Sequence, residues 1–271
     1  MLGAFSAAHG TSHFPVNVEQ VALGCHELFG WSDRIKEIQA ADIKGFEGCL
    51  FPNDKRDQWM LLYNDAMNSP GRVRFTQAHE IGHYILHRFD RDSFQCTDAS
   101  NMRNVSNDDQ DLEKQADEFA SYLLMPLDDF RKQFTVPINF DLLGHCTDRY
   151  GVSMTAAILK WIAQTEEKAV FIMSNDGFIN WAWSSDAAFK AGAFFKTRGN
   201  TIEVPKGSLA ADQSIQHNRL GINVAANVWF KHADPGLSLR EMKINAGQYG
   251  HVLTLLCLPS IARVWSPGKY D

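Results

Sequence analysis

The stretch Gly71-Arg72-Val73-Arg74-Phe75-Thr76-Gln77-Ala78-His79-Glu80-Ile81-Gly82-His83-Tyr84-Ile85-Leu86-His87 decides the reading of this chain. It follows the breaker cluster Met67-Asn68-Ser69-Pro70-Gly71, and it predicts a helix from about Gly71 or Arg72 to His87. Phe75, Ala78, Ile81, Ile85 and Leu86 recur at helical spacing and are expected to anchor it in a core. His79 and His83 are four apart, so they fall on one face, one turn from each other. Two imidazoles so placed both reach a single ion at about 2.0–2.1 Å. The neighbouring carboxylate of Glu80 then reaches a water at that ion rather than the ion itself. Gly82 leaves room for another segment to cross closely over the helix. Buried polar groups need partners, and a metal is one. His87 continues the spacing, but three successive turns converge poorly on one ion, so it is read as structural.

Zinc in a catalytic site takes three protein ligands and leaves a fourth position for water. A second helix is expected over about Asp111 to Leu124, stopping at Met125-Pro126. Helical projection puts Ala116, Phe119, Ala120, Leu123 and Leu124 on one side, Glu113 and Asp117 along its edge, and Glu118 well away. Glu113 is the expected third ligand. Asp117 is expected to accept a hydrogen bond from the non-coordinating nitrogen of a ligand histidine, His79. Asp108, Asp109, Asp111 and Cys96 stand as alternative ligands. The set tolerates manganese or iron(II) as well as zinc.

These two stretches, the second with its Glu-x-x-Ala-Asp-x-Phe-Ala and Leu-Leu-Met-Pro sequences, resemble the ImmA/IrrE family of metallopeptidases over roughly residues 15–165. The resemblance implies a gluzincin-like site in which His79, His83 and Glu113 match the ligands and Glu80 the catalytic base. The family often has Asn where this chain has Asp117. The resemblance also implies a protein partner, a helix-turn-helix transcriptional repressor cleaved in phage, mobile-element or stress-response regulation. In the radiation-response branch it further implies a C-terminal sensor-like domain of GAF type. A competing reading is a metal-stabilised binding or anti-repressor protein that sequesters a partner without cutting it. The retained Glu80 argues against that, because a structural metal site needs no base.

The chain has 271 residues, 45% hydrophobic and 21% charged, an ordinary globular composition. Its net charge of −6 argues against a broad nonspecific nucleic-acid surface. Cys25, Cys49, Cys96, Cys146 and Cys257 are scattered without C-x-x-C spacing, as expected of free thiols in a reducing compartment. Met1-Leu2-Gly3-Ala4-Phe5-Ser6 has no basic or long apolar character, and no run of 18 apolar residues exists. The expectation is a cytoplasmic protein with no membrane partner.

Residues 17–30 read as a helix closed by Gly30. Segments 42–52 and 58–64 read as strands of a hairpin around Pro52-Asn53-Asp54-Lys55-Arg56-Asp57. Trp59 to Asn64 reads equally as a core strand or as an exposed edge to which a substrate adds. Asp90 to Asp109 reads as a long loop, and a third helix is expected from Leu127 or Asp128 to about Phe134. Residues 139–165 give two short helices that superficially suggest a helix-turn-helix. The second carries only Lys160 as a basic residue, so it is read as packing, and direct DNA binding is not expected. Lys168–Met173 and Phe178–Trp183 read as strands joined at Asn175-Asp176-Gly177. Trp181, Trp183, Phe194, Phe195, Trp229 and Phe230 read as core. Tyr63, Tyr84, His145, His217, Arg72 and Arg74 are candidates to stabilise an oxyanion.

The fold expected is α+β. A zincin-like metallopeptidase domain over 15–136 packs helices on a small, mainly antiparallel sheet. A helical subdomain follows over 137–166, then a mixed, β-containing and regulatory module over 167–271.

Overall fold

The computed structural model describes residues 14–42, 45–66, 69–91, 93–97, 107–246 and 250–266, with only the backbone of 95–97 and 107. The readings at Met1–Ser6, at Met67-Asn68, over half of the 90–109 loop and of the Cys96 side chain lie outside what is described. The chain divides into two compact units, Met1–Gln133 with Cys146–Ser153, and Phe134–His145 with Met154–Asp271.

In the first unit, α1 (Val18–Phe29) starts at Asn17, whose side chain accepts from the Gln20 amide, and ends at Gly30 with φ 66°. Three strands follow, β1 (Arg34–Ala40), β2 (Phe46–Pro52) and β3 (Gln58–Tyr63). Next come α2 (Pro70–His87), β4 (Phe94–Thr97) and α3 (Asn107–Leu124). The unit continues with α4 (Leu127–Phe130), which runs into a short 3-10 turn at Arg131–Gln133. The sheet order is β1-β3-β2-β4. β1 pairs parallel with β3, while the other two pairings are antiparallel.

One open reading closes here, and the elements depart from expectation at β1, β4 and α3. β3 is an interior strand, so Trp59–Asn64 offers no free edge, and Trp59 and Leu61 are core residues. β1 forms where no strand was expected, and β4 forms inside the expected loop. α3 starts at Asn107 rather than Asp111, with Asp108 and Asp109 in its first turn. Those carboxylates favour the positive end of the helix dipole.

Asp33 ties the end of α2 to this sheet. Its carboxylate accepts from Trp59 Nε1 at 3.1 Å and Arg88 Nε at 3.0 Å, and its carbonyl accepts from the Tyr84 hydroxyl at 2.8 Å. Arg88 also lies over the Trp31 ring, 3.3 Å from its centroid. Cys25, Cys49 and Cys146 are buried free thiols, and burial pushes them up to about 12, 11 and 11 respectively.

The second unit holds a five-stranded antiparallel sheet in the order β6-β5-β9-β8-β7. Its strands are β5 (Lys168–Asn175), β6 (Phe178–Ser184), β7 (His217–Ala225), β8 (Ser238–Ala246) and β9 (His251–Leu258). The turn between β5 and β6 has positive φ at Asp176 (50°) and Gly177 (80°), the two-residue hairpin geometry. One face of the sheet, with Val170, Ile172, Leu239, Leu256 and Leu258, packs on Trp229, Phe230 and several alanines. Glu241 is fully buried there and accepts from Trp229 Nε1 (2.9 Å) and the Ala210 amide (2.7 Å). The aromatic set is not all core: Trp183 is 58% exposed. In sequence, α5 (Phe140–Tyr150) and α6 (Met154–Ile162) precede β5, and the one basic residue of α6, Lys160, is buried. Short helices α7 (Asp186–Lys190) and α8 (Ala226–Trp229) complete the second unit. Among the described residues no helix is long and apolar enough to cross a membrane.

Candidate metal centre

Pro70 opens α2 with a fixed φ suited to a first helical position. From Thr76 to Tyr84 every residue of the helix is buried. The anchors are Ala78, Ile81 and Tyr84 rather than the whole expected set, since Leu86 is 46% exposed. α2 packs on α3 and on β2. Gly82 makes the helix crossing close: a Cβ there would lie 3.1 Å from the Ala116 Cα. Gly48 does the same for the sheet, since a Cβ there would lie 2.5 Å from Glu80 Oε1 and 2.6 Å from Thr76 Cγ2. Nothing in the spacing of the sequence singled out Gly48. Its signal would have been a lone glycine in a strand, which marks close approach of another element.

These contacts bring His79, His83 and Glu113 together, with one donor atom of each within 4.8 Å of the others. His79 Nε2 and His83 Nε2 are 3.0 Å apart. Glu113 oxygens lie 3.1 Å from His79 Nε2 and 3.4 Å from His83 Nε2. Tetrahedral bonds of about 2.0–2.1 Å require donors roughly 3.3 Å apart. Two nitrogens and a carboxylate oxygen at these separations therefore fit a divalent metal with small adjustments. His79 Nδ1 donates to Asp117 Oδ1 at 2.9 Å, which leaves Nε2 as the ligand atom. Glu80, fully buried, is beside His79 on the same helix.

The electrostatics fit a cation too. Burial opposes charge on His79, but hydrogen bonds to Asp117 and Glu113 outweigh it and raise its pKa to about 10. Burial also opposes charge on Glu113, yet the imidazoles of His79 and His83 beside it bring it down to about 2. Burial shifts His83 downward. The Glu113 and Asp117 carboxylates thus meet His79 from its two ring nitrogens.

Of the alternative ligands, Asp109 pairs with Arg91, and Asp111 with Lys114 at 3.1 Å. Of the oxyanion candidates, Tyr84, Arg72 and Arg74 bond to Asp33, Glu47 and the Val16 carbonyl. His145 and His217 belong to the second unit. Tyr63 lines, with Arg74 and Gln77, a cleft of about 780 Å³ that includes none of the three ligand residues.

An α+β domain whose helix pair presents two histidines and a glutamate above a small mixed sheet defines a zincin-like metallopeptidase domain. Residues 35–161 match the peptidase M78 family, described as the IrrE N-terminal-like domain. The chain thus carries a domain of the ImmA/IrrE family, and the matched segment contains His79, Glu80, His83, Glu113 and Asp117. No curated protein matches the chain.

Proposed function

We propose that this protein is a zinc-dependent endopeptidase of the gluzincin type whose substrate is a helix-turn-helix transcriptional repressor. The observation that carries the peptidase reading is the buried Glu80 beside a His-His-Glu set at metal-ligand separations. The family resemblance supports the repressor as substrate, in stress or mobile-element regulation in the cytoplasm. His79, His83 and Glu113 would hold the ion, and the nitrogen and carboxylate donors suit zinc while accommodating manganese or iron(II). When bound, such an ion supplies Lewis acidity at the scissile carbonyl and lowers the pKa of a water to near neutrality.

Glu80 accepts the proton of the attacking water and returns it to the leaving amine. Glu80 and His83 are fully buried, where charge interactions are stronger than in bulk water, while the Glu113 and Asp117 side chains keep 24% and 59% exposure to solvent. Asp117 keeps the His79 ring oriented through Nδ1. Among the described residues β4 is an edge strand, it places Phe94 against His83, and an extended substrate adding to that edge would lie beside the centre.

Purified wild type, Glu80→Gln and metal-stripped protein are incubated with helix-turn-helix regulators of the same organism, and products are read by mass spectrometry. Cleavage by wild type alone is expected. Cleavage by Glu80→Gln at the wild-type rate would sink the mechanism, and an intact regulator held by the metal-loaded protein would replace cleavage with sequestration.

A further inference from the structure

The second ring nitrogen of His83 faces a chain of side chains that the spacing argument left out. His83 Nδ1 lies 3.1 Å from His87 Nδ1, and His87 Nε2 lies 3.3 Å from Gln115 Oε1. His83 and His87 are both almost wholly buried, at 0% and 2% exposure. Phe94 stacks on the His83 ring with centroids 4.4 Å apart and planes at 16°, which fixes the ring plane.

With the Gln115 amide turned oxygen-first toward His87 and both histidines neutral, one arrangement of protons satisfies the two contacts of this chain. The Gln115 oxygen accepts, so His87 carries its proton on Nε2 and donates it there. His87 Nδ1 is then an acceptor. Two nitrogens at 3.1 Å need one proton between them, so His83 carries its proton on Nδ1. That leaves the lone pair of His83 on Nε2, the atom facing His79 Nε2 and Glu113. The opposite polarity puts a proton on His83 Nε2, where it blocks a metal, and sets two acceptors against each other at Gln115. The requirement at the metal and the acceptor at the far end thus select the same tautomer.

We propose that His87 and Gln115 are positioning residues that hold His83 in the Nδ1–H tautomer and so present Nε2 to the metal. This rests on the metal-centre reading above. His79 is held through Asp117, a carboxylate on α3, and His83 through a neutral relay that starts on α2 and ends on α3. Gln115 is exposed, so water replaces its oxygen when it is removed, and His87 is the member whose loss is felt.

The test uses full-length protein and two readouts. Histidines labelled with nitrogen-15 in the metal-free protein report tautomers through long-range proton–nitrogen correlations. His83 is expected as Nδ1–H. Zinc affinity is then measured by competition with a chromophoric chelator. His87→Leu removes the acceptor and should weaken zinc about 10- to 100-fold. His87→Asn puts an oxygen about where Nδ1 stands and should stay within about threefold of wild type, by the same reasoning. Finding the Nε2–H tautomer at His83 in wild type overturns the relay. So does a folded His87→Leu that binds zinc as tightly as wild type. A wild-type protein that binds no zinc defeats the metal-centre reading instead, and the tautomer measurement still decides the relay.

Discussion

Gly82 of α2 and Ala116 of α3 meet backbone to backbone: a Cβ on Gly82 would lie 3.1 Å from the Ala116 Cα and 3.2 Å from its carbonyl oxygen. Ala116 is one helical turn beyond Glu113, and Gly82 immediately precedes His83. The distance between the helices at this crossing therefore sets the distance between the ligands. Gly82→Ala should push the helices apart by a few tenths of an ångström, costing about 1–3 kcal/mol as other overpacked sites do. A lower melting temperature and a weaker zinc affinity are both expected. An unchanged affinity in the destabilised variant would mean that this crossing does not hold Glu113 in place.

Gly48 of β2 bears on the base rather than on the ligands. A Cβ there falls 2.5 Å from Glu80 Oε1 and 2.6 Å from Thr76 Cγ2. Glu80 is fully buried, so its carboxylate has little room to retreat. Gly48→Ala should keep its metal and lose roughly 10- to 100-fold in kcat, the scale expected when a catalytic group is misplaced by up to an ångström. Metal content by mass spectrometry and single-turnover cleavage separate the two effects, and a parallel loss of metal would contradict this division of labour.

Asp33 shows what stabilises the frame behind the site. Asp33 is 8% exposed and Arg88 6%, and the Asp33 carboxylate also serves Trp59. Asp33→Ala strands a buried guanidinium and an indole N–H, which should cost about 3–5 kcal/mol. Replacing Asp33 and Arg88 together by apolar residues should recover a good part of that, because the penalty lies in the uncompensated charge. Chemical denaturation of the two single variants and the double variant measures the coupling. Additive losses would show that the pair is not coupled.

The site was more legible in the sequence than the sheet beneath it. His79, His83, Glu113 and Asp117 were readable because helical spacing is local and rigid, and the structure brings all four together. The relay through His87 and Gln115 was not, because it depends on which ring nitrogen each side chain turns toward. β1 was missed because Arg34–Ala40 has its apolar residues Ile35 and Ile38 three apart, which breaks alternation. Its partner is also a parallel strand over twenty residues away, Arg34 pairing with Gln58. β4 is only four residues in a polar stretch. Whether Trp59–Asn64 is edge or interior depends on β1, so missing β1 left that question open. The hairpin at Asp176-Gly177 was legible because its turn needs two residues at positive φ.

Asp129 gives a prediction that does not involve the metal. Arg149 donates to both its oxygens at 2.8 Å, and the Tyr150 hydroxyl donates at 2.6 Å. These bonds, the Arg149 pair foremost, hold the Asp129 carboxyl below its ordinary range against the opposing effect of burial. A carboxyl whose folded pKa is depressed adds stability above the unfolded value of about 3.9 and loses it as pH falls through the lower folded value. Side-chain exposures of 32% and 25% for Arg149 and Asp129 mean that solvent screens the pair. Its contribution should then be on the order of 1 kcal/mol. Asp129→Asn should accordingly be less stable than wild type at pH 6, and the gap should close as pH falls below about 3.9. Urea unfolding of both proteins from pH 6 down to pH 2.5 checks this. A gap that stays constant across that range would assign the loss to packing around Tyr150 and not to the charge on Asp129.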